Sequence, residues 1–131
     1  MATTTATITL ASTDLLSDEL ALTTSTSLVQ AGTATGIIQA AGLSRKTTTS
    51  VSAVTLFAAA DYVDDKANKV YIKNTETTAA NYIIVSHGST DIGRLYAGDW
   101  ALIPWEGSGD FKYTPGQSDS TTVEFMMFHE G

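Results

Sequence analysis

Between Lys69 and Trp105 the chain reads KVYIKNTETTAANYIIVSHGSTDIGRLYAGDWALIPW, and its apolar residues recur with a period of two. In Lys69–Asn74, Val70 and Ile72 alternate with Lys69, Tyr71 and Lys73, which predicts a strand with one wet and one buried face. Tyr82–Ser86 and Trp100–Trp105 are apolar on both faces. Tyr82–Ser86, short and β-branched, predicts a central strand rather than a helix. Pro104 has no N–H for a ladder, so Trp100–Trp105 ends there or lies at an edge. The joints His87-Gly88-Ser89 and Ala97-Gly98-Asp99 have the length and residues of tight turns, and 74–81 is a longer polar connection. The stretch therefore predicts an antiparallel meander, with both Trp residues in the core.

The flanks carry the same period. Thr3, Thr5, Thr7 and Thr9 alternate with Ala6, Ile8 and Leu10, and Leu20 and Leu22 share a side in the next segment. The pair predicts two strands with an apolar face on a core. The 12–18 loop between them has room for a helical turn capped by Thr13 or Asp14. Gly32, Gly36 and Gly42 interrupt the 30–42 stretch, which fits a long loop or an arm that orders on contact. Thr47–Ala58 predicts another strand region, 58–66 a helical turn or loop, and Asp110–Thr114 and Thr121–His129 the last strands. On the final strand Val123, Phe125 and Met127 share one face, and Met126 and Phe128 share the other with Glu124. A two-sided apolar strand this near the end is central in its sheet or covered by a neighbouring subunit.

Roughly eight to ten strands at this spacing predict an all-β fold, an antiparallel β-sandwich of jelly-roll type. The 131 residues suit a single domain, 1–131, with 1–12 and 30–45 as candidate extended arms. The formal net charge of −7 argues against nucleic acid and against an anionic membrane surface. Charged residues make up 16% of the chain, below the roughly 25% that is usual. That suits a neutral Thr/Ser/Ala surface for a partner, and equally a small sandwich with a Thr-rich exterior. With no cysteine there is neither disulfide nor thiolate chemistry. MATTTATITL lacks the basic and apolar regions of a signal peptide, so the expectation is synthesis in a cytoplasm without the usual export.

No residue constellation predicts catalysis, a cofactor or a metal. His87 and His129 have no ligand spacing around them, and no G-x-S-x-G or phosphate-cradling glycine motif occurs. Asp61, Asp64 and Asp65 lack the central Gly and closing Glu of a calcium loop. Arg45-Lys46 is the only adjacent basic pair; it reads as a solvated strand start or as a docking contact for an acidic surface. Trp100, Trp105, Tyr96 and Tyr113 offer a second possibility, an aromatic platform for sugar rings.

Four segments together resemble small β-rich virion structural proteins of tailed bacteriophages. They are TTTATITLASTDLLSDELALTT, LFAAADYVDDKANKVYIKNT, DIGRLYAGDWALIPW and TVEFMMFHE. The resemblance implies a capsid decoration (cement) protein, assembled in many copies on the outside of a mature head and stabilising it. It implies a homo-oligomer, a trimer first, with the major capsid protein as partner and the virion as location. It brings no catalytic residue. A tail or neck component, either adaptor or spike base, and a carbohydrate-binding sandwich are the alternatives. The residues singled out for an interface are Arg45, Lys46, Met126 and Phe128.

Overall fold

A computed structural model describes residues 3–15 and 17–130. Ten strands and one 3-10 turn make up its regular structure: β1 (Thr5–Ser12), β2 (Leu20–Ser27), β3 (Gln39–Thr48), β4 (Val54–Phe57), the turn Ala59–Asp61, β5 (Asn68–Asn74), β6 (Tyr82–His87), β7 (Thr90–Tyr96), β8 (Trp100–Trp105), β9 (Phe111–Pro115) and β10 (Thr121–His129). The chain divides into two compact units, Met1–Ile38 and Gln39–Gly131.

In the larger unit the strand order is β3-β10-β5-β8 in one sheet and β4-β9-β6-β7 in the other. Four of the pairings are nested: β6 with β7, β5 with β8, β4 with β9 and β3 with β10. One long hairpin, closed at the Gly88-Ser89 turn, is thus rolled into two layers, which is jelly-roll topology. Two further pairings, β10 with β5 and β6 with β9, complete the sheets.

The roll buries one face of each sheet. β5 alternates strictly, with Asn68, Val70, Ile72 and Asn74 buried and Lys69, Tyr71 and Lys73 half-buried between them. Val70 and Ile72 join Ile83, Val85, Phe111, Tyr113, Val123, Met127, Phe57 and Trp105 in one core drawn from both sheets. Phe57, Tyr62 and Trp105 close one end, with ring centroids 5.2–6.2 Å apart. The Trp105 indole N–H donates to the Gly109 carbonyl at 2.7 Å. Gly107 in the same loop holds φ +97°, and a Cβ there would meet the Val63 carbonyl oxygen at 2.6 Å.

Asn74 ties three connections together. Its amide donates to the carbonyls of Leu95 (3.0 Å) and Asn81 (3.3 Å), and its Oδ1 accepts from the Glu76 N–H (3.1 Å).

The smaller unit is a ribbon of β1 and β2, antiparallel from Thr5↔Ser27 to Ser12↔Leu20. It continues through the Leu28 N–H to Thr4 carbonyl bond (2.9 Å) and the Ile37 N–H to Leu28 carbonyl bond (3.0 Å). An isolated bridge joins Val29 and Gly36.

Several expectations need correction. The organising stretch is not a meander. β5 and β6, and β7 and β8, lie in different sheets, and only β6–β7 is a sequential hairpin there. At Ala97-Gly98-Asp99 the turn is held by the Asp99 N–H to the Tyr96 carbonyl and by the Tyr96 N–H to Asp99 Oδ2, both 2.9 Å, and the chain crosses between layers. Thr47–Ala58 is two elements, because β3 ends at Thr48 and β4 starts at Val54. The 30–45 segment contains the first seven of the ten residues of β3. Its Ala and Gly residues conceal the strand because its partner β10, not its own periodicity, holds it. The 1–12 segment is, in its described part, the first strand of the ribbon, and Met1 and Ala2 lie outside the described residues. The apolar face expected to be buried there is not: Ile8 is 40% exposed, Leu10 50% and Leu22 46%. In the loop Ser12, rather than Thr13 or Asp14, accepts the following N–H groups, those of Leu15 at 3.1 Å and Asp14 at 3.4 Å. Leu16 lies outside the described residues.

Candidate functional site

The outer face of the β3-β10-β5-β8 sheet gathers most of the residues to which the sequence points. Register lays them out in cross-strand rows. Arg45, Glu124, Lys73 and Trp100 form one; Met126, Tyr71 and Leu102 the next; Ala40, Phe128, Lys69 and Pro104 the third. All lie on the side opposite the core because Val123, Met127, Val70 and Ile72 occupy the alternate positions.

Trp100, on the edge strand β8, is 55% exposed, while Tyr71, Leu102, Met126 and Phe128 are half-buried. The expectation that both Trp residues are core is therefore right for Trp105, which is 2% exposed, and wrong for Trp100. Trp100 and Trp105 are five positions apart on β8, so the period of two puts them on opposite faces, and the sheet pairing decides which face is the outer one.

Electrostatics on this face centre on Glu124. Its Oε2 accepts from Arg45 Nε (3.2 Å) and Nη2 (3.0 Å), and its Oε1 accepts from the Tyr71 hydroxyl (3.2 Å). Burial, then the Glu124 hydrogen bond and charge, raise the Tyr71 phenol above its ordinary pKa, so it stays a neutral donor. Arg45 is thus held in place by Glu124, though its side chain is 68% exposed. Lys46, also exposed, takes the position opposite Val123 and so belongs to the other side of the strand. Of the four interface residues, Arg45, Met126 and Phe128 share a face and Lys46 does not.

A bulge sharpens this face. Between Phe125 and Met127 the pairing advances two residues on β10 and three on β3, so Gly42 and Leu43 together oppose Met126. Leu43 is 61% exposed.

The outer face of the second sheet carries a separate group. Arg94 lies 4.3 Å above the Tyr82 ring, and Tyr82 and Tyr96 centroids are 5.5 Å apart. Tyr82 also lies on Gly116, where a Cβ would sit 2.2 Å from its ring. The four-ring sugar platform is broken up, since Trp105 and Tyr113 are core and only Trp100 and Tyr96 are exposed.

One cluster was not visible in the sequence. His87, Glu106 and Ser108 come together from the end of β6 and the β8–β9 loop, with His87 Nε2 4.0 Å from Glu106 Oε1. The Ser108 hydroxyl donates to that same carboxylate oxygen. A hydroxyl committed to a carboxylate is not poised on the imidazole, as a nucleophile would need to be. No spacing motif links these residues; loop geometry alone assembles them. Among the described residues no three His, Asp or Glu side chains are placed to share a metal ion, and Asp61, Asp64 and Asp65 are separately exposed. No helix among the described residues is long and apolar enough to cross a membrane. No protein-family model, no curated protein and no solved structure matches the chain.

Proposed function

We propose that this chain is a virion structural protein of a tailed bacteriophage, most specifically a capsid decoration protein that binds the outside of the mature head as a homo-oligomer. The observation that carries the reading is the outer face of the first sheet, with exposed Trp100 and half-buried Leu102, Tyr71, Met126 and Phe128 beside Lys69, Lys73 and Arg45. A rigid two-layer fold that leaves such a face uncovered suits docking on a protein lattice, and repeated weak contacts there add up to avidity. The resemblance of the four segments to phage structural proteins supports the same reading, and so does the low charge content. The surface of the major capsid protein is the proposed partner, met through this face. Tail or neck placement is the variant of this reading with fewer copies.

Copy number in purified source particles tests it, by quantitative mass spectrometry against the major capsid protein. Hundreds of copies, on the order of the capsid protein itself, are expected, since only the shell offers that many equivalent positions. A count of about three to twelve would move the protein to the neck or tail. Absence from particles would overturn the virion role. Replacing Met126 and Phe128 together with Ser is expected to lower particle occupancy while the folded chain persists.

Trp100, exposed on the outer face of the first sheet, favours a second reading, a carbohydrate-binding surface built on a single ring. Glycan-dependent quenching of Trp100 emission would support it, and unchanged emission across a glycan panel would remove it.

A further inference from the structure

Of the chain's two arginines, one is satisfied within the fold and the other is not. Arg45 donates twice to Glu124. Arg94, exposed on the edge strand β7, has neither an ion pair nor a hydrogen-bond acceptor for its guanidinium among the described residues. The acids nearest to it in the chain do not serve. Asp91 lies beyond the bulge at Ile92, and Asp99 Oδ2 accepts the Tyr96 N–H at 2.9 Å.

Unpaired as it is, Arg94 is held in place. Its guanidinium carbon stands 4.3 Å from the centroid of the Tyr82 ring. Tyr82 is itself fixed on several sides. Its ring lies on Gly116, where any Cβ would run into it. The Tyr82 carbonyl accepts the Gly116 N–H at 3.0 Å, and its N–H donates to Gln117 Oε1 at 3.1 Å. Tyr96, 43% exposed, packs beside it at 5.5 Å between centroids. A guanidinium stacked on a ring keeps its N–H donors free at the rim of its plane. Ile84 stands next to Arg94 in register, and Ile92 is 50% exposed further along β7. The outer face of the second sheet thus presents an oriented fork of donors between aromatic and aliphatic surface.

We propose that Arg94, with Tyr82 and Tyr96, is a docking point for a carboxylate side chain of a partner protein, an Asp or Glu with an apolar residue beside it. The planar fork matches a carboxylate through two parallel N–H bonds, as Arg45 already shows with a single oxygen of Glu124. The charge matches as well. Lys112, the other basic residue on the strands of this sheet, is two strands and two positions away, roughly 12 Å, so one cation meets one anion and a phosphate dianion would stay half neutralised. Arg and Tyr are the side chains that most often anchor protein interfaces. Stacking fixes Arg94 before a partner arrives, so less freedom is lost on binding. A second copy is a poor occupant, because each chain carries a net charge of −7 and copies repel. The site lies on the sheet opposite the proposed docking face. It stands whether or not the chain sits on a virion, and both faces can be occupied together.

The test is a titration of the full chain with the blocked dipeptide acetyl-Glu-Leu-amide, read by NMR at the Arg94 Nε–H and the Tyr82 and Tyr96 rings. These signals are expected to move together and saturate, with a dissociation constant on the order of 10 mM for one charge-assisted pair beside one apolar contact. Signals of Arg45, already paired, should stay. The neutral acetyl-Gln-Leu-amide should bind at least about tenfold more weakly. Arg94→Lys keeps the charge and loses the fork and the stack; it too should weaken binding at least about tenfold, with Trp105 emission unchanged. A stack that served packing alone would give no saturation by about 100 mM, ten times the expected constant. That result, equal binding of the Gln peptide, undiminished binding by Arg94→Lys, or tighter binding of inorganic phosphate would each overturn the carboxylate site. So would Arg94 signals that shift on dilution of the protein alone, which would give the site to a second copy.

Discussion

Replacing Tyr113 by Phe should stabilise the protein. Tyr113 lies at the centre of β9, between Val54 and Val85 in register, and is 0% exposed. Its hydroxyl finds no hydrogen-bond partner among the described residues. In the unfolded chain that hydroxyl is hydrated, so burying it unpaired costs about 1–3 kcal/mol. Removing the oxygen leaves a void of roughly 10–15 Å³, worth about 0.3 kcal/mol at ~24 cal/mol per Å³. The net gain is therefore about 1–2.5 kcal/mol, or about 4–9 °C in Tm for a chain of this size. Urea unfolding followed by Trp105 emission, with calorimetry beside it, measures both. The pH profile supplies an independent check. Burial raises the Tyr113 phenol above its ordinary pKa. A phenol held neutral in the fold contributes stability that is intact below the unfolded value of about 10 and is lost as pH rises toward the folded value. The gap between Tyr113→Phe and wild type should therefore widen above about pH 10. Residual alkaline loss should persist in the variant, because the Tyr62 and Tyr71 phenols are raised as well. A variant destabilised by more than about 1 kcal/mol would refute the reasoning, since the hydroxyl would then have a good partner.

Two further outcomes follow from the same core. Trp100→Phe should leave blue-shifted emission that iodide does not quench, whereas Trp105→Phe should leave red-shifted, quenchable emission and cost about 2–3 kcal/mol through the lost indole bond and ring contacts. Asn74→Ala should cost about 2–4 kcal/mol in urea unfolding, because the Leu95 and Asn81 carbonyls lose its donors; Asn74→Asp, which has no N–H to donate, should rescue little of it.

Local chemistry determined a good deal of this protein. Strict alternation in Asn68–Asn74 and Phe111–Pro115 marks strands with one buried face, and each is found so. The two-sided run Tyr82–Ser86 announces a central strand, and β6 lies between β9 and β7. Gly88 at φ +60° makes the one hairpin turn that its residues predict. These features are legible because side-chain period and turn residues act within a few positions of one another. Met126 and Phe128 were likewise readable as an outer pair, since they alternate with the buried Val123 and Met127.

Only the tertiary structure decided the rest, because it depends on partners far away in the chain. Pairing β3 with β10 across some 80 residues turns an Ala/Gly/Ser segment into a strand and places Arg45 on Glu124. Trp100 and Trp105 stand on opposite faces of one short apolar run, and the pairing of β8 with β5 decides that Trp100 is the outward one. The β1–β2 pattern promised a buried face, and period alone does not say what buries it. In this chain the ribbon's apolar side stays open, for burial is a property of what packs against a strand and not of the strand's own alternation.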